Sequence, residues 1–121
     1  MAYAHVDGAD VPLGSGPHPA TSPYDRRISD RLGLTGFAVY RVELPPGGET
    51  VRHDHIADQV EDAYAFLAGS GWLVVGDERI RVAAGEFASV TVEEQRHLRA
   101  GDDGLVLIAV CGVSPVAVGT A

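Results

Sequence analysis

The sequence predicts an all-β fold in the form of a small antiparallel β-barrel. Short apolar or alternating runs recur through most of the chain, and Gly- and Pro-containing turn signals separate them. The 121 residues have the length of one domain, and no internal repeat interrupts them. Strands that are this short and this regularly punctuated are typical of a barrel or a sandwich.

The first part of the chain differs from the rest. Residues 7–23 are rich in Gly and Pro and show no periodicity, which indicates an irregular arm. A short helix is expected to follow, with Ser22 as its N-cap, Pro23 at its first position and Gly33 as its stop. The predicted organisation is an N-terminal arm with one short helix over residues 1–36 and a barrel domain over residues 37–121.

The barrel domain is predicted to contain only short strands. Turn-forming sequences such as PPGG, GSG and AGDDG separate neighbouring runs. The predicted strands are residues 37–44, 49–55, 62–68, 72–75, 79–82, 86–92, 95–99 and 105–110.

Composition excludes several classes of partner. The formal net charge is -8, so the chain lacks the basic face that nucleic acids or anionic membranes require. Cys111 is the one cysteine, which rules out an intrachain disulfide, fits a reducing compartment and is expected to be a small buried thiol. No run approaches the roughly 20 apolar residues of a membrane span. The expectation is a soluble cytoplasmic domain with neither a nucleic-acid nor a membrane partner.

Two histidines, one residue apart, are the main candidates for chemistry. Alternation along residues 49–55 places Val51, His53 and His55 on one strand face and leaves the hydrophilic Thr50, Arg52 and Asp54 on the solvent face. Neutral imidazole is a common ligand for borderline metals. An inward His-x-His pair that is followed by acidic residues favours a metal site over a pair of structural histidines.

This segment resembles the first motif of the cupin superfamily, G-x5-H-x-H-x3/4-E-x6-G. Gly47 stands at the position of the first glycine, His53 and His55 form the pair, and Gly69 ends the motif. The similarity extends from about Phe37 to Gly112. The resemblance implies a jelly-roll barrel (a double-stranded β-helix), often a homodimer. It also implies one divalent metal ion, among which Fe, Zn, Mn and Ni are not distinguished, and a small-molecule ligand.

The first departure from the motif concerns the carboxylate. Counting back from Gly69 places Asp62 where the family has its glutamate. The gap between His55 and Asp62 is longer than the family spacing, so the loop could present Glu61 instead. Asp62 is the preferred ligand on the count to Gly69.

The second departure concerns the third histidine. In the family's second motif, G-x5-P-x-G-x2-H-x3-N, the count from Gly85 puts Arg96 at the metal-binding histidine, and His97 is one place late. Strict alternation points Arg96 into the barrel with Leu98, whereas a one-residue bulge would turn His97 inward instead. The candidate metal ligands are therefore His53, His55, Asp62 and His97, with Arg96 and Tyr64 as candidate substrate-binding residues. The alternative for Arg96 is a structural salt bridge to Asp62 or Glu94.

Two functions remain open from the sequence. One is a metal-dependent cupin enzyme, such as a dioxygenase, isomerase or lyase, that acts on a small polar organic molecule. The other is a non-catalytic or regulatory cupin that binds a small molecule. A barrel without metal requires that His53 and His55 be hydrogen-bonded side chains only.

Overall fold

The computed structural model describes residues 2–113 and contains six β-strands and one short α-helix. The strands form one antiparallel sheet, which confirms the predicted all-β barrel. Residues 114–121 of the predicted barrel domain lie outside the described residues. The elements are β1 (Asp25–Arg27), α1 (Ile28–Leu32), β2 (Ala38–Leu44), β3 (Val60–Val75), β4 (Glu78–Ala83), β5 (Phe87–Val90) and β6 (Arg96–Val113), preceded by a 3-10 turn at Gly8–Asp10.

The last strand lies in the middle of the sheet. The strand order is β1-β2-β6-β3-β4, and β5 pairs separately with β3. β6 therefore bonds to β2 on one side and to β3 on the other. The arm also contributes to the sheet, because β1 pairs with β2 from Asp25↔Val42 to Arg27↔Tyr40.

β3 and β6 are far longer than predicted. The GSG and AGDDG sequences do not end strands, and the chain passes through both of them in strand conformation. The β3–β6 register shifts between Phe66 and Ala68 and again between Gly69 and Gly71. Bulges of this kind bend a strand without ending it, so turn-forming residues here mark bends of a continuous ladder.

The core lies on the inward faces of β2, β3 and β6. Leu107 of β6 is fully buried, and Phe66 of β3 and Leu44 of β2 are 2% and 3% exposed. Tyr64 and Phe66 are both buried, as expected for core aromatics, whereas Trp72 lies on the outer face beneath Arg79 and Arg81.

The helix ends as predicted and begins later. Gly33 terminates it in the left-handed conformation with a φ of 69°, which favours glycine. The predicted N-cap was wrong, because the Ser22 hydroxyl donates to Asp25 Oδ1 (2.6 Å) in a turn that leads into β1. In the described part of the chain, no helix has the length and apolar character needed to cross a bilayer.

The histidine segment is not a regular strand. Residues 49–55 form only isolated bridges to β6, at Glu49↔Arg99 and His53↔Arg96. The predicted alternation holds for both histidines but not for Val51, which is 42% exposed, while Thr50 lines the cavity described below. The Thr50 hydroxyl accepts from the Leu98 backbone N–H (2.8 Å), and this bond turns Thr50 inward.

Candidate metal centre

A cavity of about 550 Å³ opens inside the barrel. Residues of β2, β3 and β6 form much of its wall, and residues 17–21 of the arm also line it. This volume is in the range of small-molecule sites, which are about 300–1,000 Å³. Its polar lining includes His18, His53, His55, Asp62, Tyr64 and Arg96.

Backbone hydrogen bonds to distant residues position the two histidines. The His53 N–H donates to the Arg96 carbonyl (3.1 Å), and the Arg96 N–H donates back to the His53 carbonyl (2.8 Å). The His55 N–H donates to the Val92 carbonyl (2.9 Å). These bonds hold the segment against the start of β6 and direct both imidazoles into the cavity.

The hydrogen bonds at Nδ1 fix the tautomers of both rings. His53 Nδ1 lies 2.7 Å from the Val51 carbonyl, and His55 Nδ1 lies 2.9 Å from Asp58 Oδ1. A carbonyl and an ionised carboxylate only accept, so each Nδ1 carries the proton. When the ring is neutral, each Nε2 therefore has a lone pair, which is the form that binds metal.

The Nε2 atoms of His53 and His55 lie close to each other and to the carboxylate of Asp62. His53 Nε2 is 3.2 Å from His55 Nε2, and His55 Nε2 is 3.2 Å from Asp62 Oδ2. Two donors that share one ion, each about 2.1 Å from it, lie about 3.0–3.4 Å apart. Three acceptor atoms that face one another at this spacing need a cation between them, either a second proton on His55 or a metal ion. We refer to His53, His55 and Asp62 as the ligand triad.

The carboxylate of Asp62 is bonded unevenly. Its Oδ2 accepts from Arg96 Nη1 (2.6 Å) and from the Tyr64 hydroxyl (3.1 Å). Its Oδ1 is buried and has no hydrogen-bond partner among the described residues. A buried carboxylate oxygen without a partner is costly, and a ligated cation would satisfy it.

The pKa values of the triad are shifted in different directions. Burial lowers the pKa of His53 below its ordinary value. Burial acts in the same direction on His55, but its interactions with Asp62 and Asp58 outweigh burial and raise the pKa. Burial would raise the pKa of Asp62, yet the hydrogen bond and charge of His55, assisted by Cys111 and Arg96, lower it to about 2.

The donor set fits a divalent ion. Two imidazole nitrogens and one carboxylate oxygen on one side of an open cavity form the facial arrangement that iron, zinc and similar ions accept. The ligand atoms of His53, His55 and Asp62 lie within 4.8 Å of one another. The tautomers and the partnerless Asp62 Oδ1 agree with this fit, because both leave acceptor lone pairs that no described protein donor satisfies.

Arg96, and not His97, accompanies the triad. Arg96 is 1% exposed, and Nη1 contacts Asp62. His97 is the next residue of β6, and its Nε2 lies 3.7 Å from Glu49 Oε1. Its ring is not among the ligand atoms that cluster with His53, His55 and Asp62. The bulge that would turn His97 inward is absent, since β6 keeps an unbroken register with β3 from Arg96↔Val75 to Ala100↔Gly71.

Of the two carboxylates considered from the motif, Asp62 and Glu61, it is Asp62 that lies beside the histidines. It is 4% exposed, whereas the neighbouring Glu61 is exposed to solvent on the other face of β3. Tyr64, two residues along the same face, is bonded to Asp62, and burial raises the pKa of its hydroxyl well above the ordinary value. Tyr64 is therefore a neutral hydrogen-bond donor in the cavity.

Sequence reasoning missed two polar residues of the site. Asp58 accepts from His55 and from His18 Nε2 (3.0 Å), and His18 comes from the arm. The rings of His18 and His55 have centroids 5.2 Å apart. Asp58 could have been identified from the sequence, because an acidic residue three positions after His55 is close enough to bond to its ring. No periodicity in the Gly- and Pro-rich arm indicates His18.

Solved structures share this architecture across almost the whole chain. A cupin protein from Bacteroides fragilis has a TM-score of 0.76 at 22% identity, over 95% of this chain and 87% of the other. The chain has the cupin fold. A Cupin 2 conserved barrel domain protein from Salinispora arenicola has a TM-score of 0.69 at 17% identity, over 98% and 92% of the two chains.

Some of the similar structures are described by an activity. A sugar phosphate isomerase of the cupin superfamily from Silicibacter pomeroyi has a TM-score of 0.70 at 21% identity, over 92% of this chain and 76% of the other. The sequence itself matches no protein-family model and no curated protein. The agreement with cupins is therefore one of fold.

Proposed function

We propose that this cupin binds one divalent metal ion through His53, His55 and Asp62, and that it binds or transforms a small polar organic molecule in the cavity above the ion. The observation that carries this proposal is the convergence of the two Nε2 atoms and Asp62 Oδ2 at spacings of 3.2 Å. The tautomers of His53 and His55 are set by hydrogen bonds at Nδ1, the ring nitrogen that does not face Asp62, as is usual for metal-ligating histidines.

In this proposal the metal ion, Tyr64 and the arm have different roles. A bound divalent ion would supply Lewis acidity toward a ligand oxygen. Tyr64 stays protonated and donates a hydrogen bond to Asp62, so it orients the carboxylate. The arm residues 17–21 line the cavity and add His18 to its polar groups.

The cavity favours a small organic anion as the ligand. Arg96 donates Nε to the Glu94 carbonyl (3.0 Å), Nη1 to Asp62 and Nη2 to the Thr91 carbonyl. Each terminal guanidinium nitrogen carries two hydrogens, so one on Nη1 and one on Nη2 remain for a ligand. A fixed guanidinium favours a carboxylate or enolate. The apolar wall, with Leu34, Phe37 and Val42, suits the carbon skeleton of such a molecule.

A non-catalytic binding function is the second candidate. Asp62 is ion-paired to Arg96, and the raised pKa of Tyr64 keeps its hydroxyl neutral. Neither group is free to remove a proton from a ligand. This pairing favours a cupin that holds its ligand without turnover, and the same metal centre serves both candidates.

Metal content tests the proposal directly. Protein purified without a histidine tag should contain or take up one divalent ion per chain, and His53→Ala should abolish stoichiometric binding. His5→Ala is the matched control, because His5 is an exposed histidine of the arm. Wild-type protein that takes up no Zn²⁺, Mn²⁺, Ni²⁺ or Fe²⁺ in a dialysis experiment would remove the proposal.

Turnover separates the two candidates. The metal-loaded protein can be incubated with a panel of small carboxylic acids and sugar phosphates, and the mixtures followed by NMR. A bound compound that changes chemically supports the enzyme. A compound that binds, depends on Arg96 and is recovered unchanged supports the binding protein.

A further inference from the structure

We propose that Asp58 and His18 are positioning residues of the metal centre, joined in a hydrogen-bond chain that runs from the N-terminal arm to His55 and fixes the nitrogen that His55 offers to the ion. This inference rests on the proposed function and extends it to the arm. It concerns residues outside the ligand triad, neither of which stands at a fixed position of the motif that the sequence resembles.

The chain begins at the backbone of the arm. The Ala20 N–H donates to His18 Nδ1 (3.0 Å), so that nitrogen carries a lone pair. In a neutral imidazole the proton is then on Nε2, which donates to Asp58 Oδ2 (3.0 Å). His18 thus serves as a donor to Asp58, and its Nε2 is not available to a metal in this arrangement.

The second step connects Asp58 to the metal centre. His55 Nδ1–H donates to Asp58 Oδ1 (2.9 Å), with Oδ2 at 3.2 Å. This bond orients the His55 ring and raises the basicity of Nε2, the effect that carboxylate partners have on metal-binding histidines. Asp58 therefore accepts from both imidazoles, one from the barrel and one from the arm.

A tight turn places Asp58 beside the ring it orients. The Gln59 N–H donates to the His55 carbonyl (2.7 Å), and Gln59 has a φ of 57°, in the left-handed region that non-glycine residues seldom adopt. The reversal returns the carboxylate of Asp58 to His55 before β3 begins. The longer gap between His55 and Asp62 accommodates this turn, which gives the departure from the family spacing a structural role.

The arrangement couples the arm to the ion. If the contact of His18 with Asp58 strengthens metal binding, metal binding must strengthen that contact of the arm by the same factor. The side chains of His18 and Asp58 are 35% and 36% exposed, so neither belongs to the hydrophobic core. Substitutions there should leave the fold intact.

Zinc affinity tests the proposal. Competition of Zn²⁺ with a chromophoric chelator gives the dissociation constant of wild-type and variant proteins. Asp58→Ala should weaken binding by about 10–100-fold. His18→Ala removes one partly exposed hydrogen bond and should weaken it by about two- to tenfold. Glu61→Gln is the matched control, because it removes an exposed carboxylate beside Asp62 and should have no effect.

A conservative variant separates positioning from direct ligation. His18→Gln retains an N–H donor for Asp58 but has no imidazole, so it should recover most of the affinity lost in His18→Ala. Equal loss in both variants would overturn the positioning role of His18. An Asp58→Ala protein that folds normally by circular dichroism and binds Zn²⁺ within twofold of wild type would overturn the role of Asp58.

Hydrogen exchange tests the coupling by another measurement. Zn²⁺ should slow amide exchange in residues 13–24 of the wild-type arm, and this protection should be lost in Asp58→Ala. Wild-type protein that binds Zn²⁺ without any protection of the arm contradicts the coupling and leaves the proposed function standing. Absence of Zn²⁺ binding by the wild type would overturn both.

Discussion

At the level of single residues, the metal centre depends on which nitrogen carries a proton. Metal ions compete with protons for His55 Nε2, and interactions with Asp62 and Asp58 raise the pKa of His55 even though burial acts the other way. His53 has a lowered pKa and is already neutral at neutral pH, since burial disfavours its charged form. The pH dependence of metal binding should therefore reflect the deprotonation of His55.

We predict that zinc affinity falls as the pH is lowered through the raised pKa of His55. Below that pKa the decrease should approach about tenfold per pH unit, because one proton must leave for each ion bound. Chelator competition between about pH 6 and pH 8 measures it. An affinity that stays constant over this range would contradict the assignment of His55.

We predict a second pH effect on the stability of the metal-free protein. The folded-state pKa of Asp62 is about 2, below the ordinary 3.8, so its ionisation stabilises the fold above about pH 4. The stabilisation, about 2 kcal/mol, is lost as the pH falls through 2. Asp62→Asn should cost about 3 kcal/mol at neutral pH, because Arg96 loses its buried partner.

Urea unfolding at several pH values checks this prediction. The difference in unfolding free energy between the wild type and Asp62→Asn should shrink as the pH approaches 2. Glu61→Gln provides the comparison for an exposed carboxylate on the same strand. A difference that is independent of pH would show that the ionisation of Asp62 does not stabilise the fold.

At the level of elements, the close contact between β3 and β6 requires glycine. A Cβ at Gly71 would lie 2.2 Å from the Arg99 carbonyl oxygen, which is backbone and cannot move aside cheaply. We predict that Gly71→Ala destabilises the protein by about 3 kcal/mol. Gly36→Ala is the control, because no atom lies within 4 Å of its Cβ position. Equal unfolding free energies for the two variants would contradict this explanation.

The elements also show what the sequence could predict. The regularly punctuated short runs were sufficient for the all-β barrel, and the motif spacing of His53, His55 and Gly69 was sufficient for its cupin form. Alternation gave the inward direction of both histidines but was wrong at Val51. The continuity of β3 through its GSG sequence was not predictable, since a bulge and a turn use the same residues. The contact of His18 with Asp58 joins positions 40 apart in sequence, and no local pattern encodes it.

The two open alternatives had different physical causes. The choice between Arg96 and His97 depended on a bulge, and strict alternation gave the arrangement that the structure has. The choice between Asp62 and Glu61 depended on the path of the loop before β3, which the turn at Gln59 determines. The metal-binding roles of these residues stay predictions until an ion is measured.

At the level of the whole molecule, the homodimer implied by the cupin resemblance stays a prediction. Phe87 of the short strand β5 is 81% exposed, and exposed edge strands favour pairing with another chain. Light scattering should give twice the chain mass of 12.7 kDa. Phe87→Ser should lower that mass, whereas Tyr3→Ser, at a residue of the arm that is 74% exposed, should not. A monomeric wild type would contradict the prediction.

The central place of β6 has a consequence for the order of events during synthesis. β6 leaves the ribosome after the other described strands, and the histidine segment gains its long-range backbone partners from Val92, Arg96 and Leu98, all near or within the start of β6. The nascent chain therefore carries the two imidazoles on an unpaired segment until nearly the whole barrel has been translated. An ion captured during translation would meet flexible ligands, so selective loading must wait until the barrel has closed.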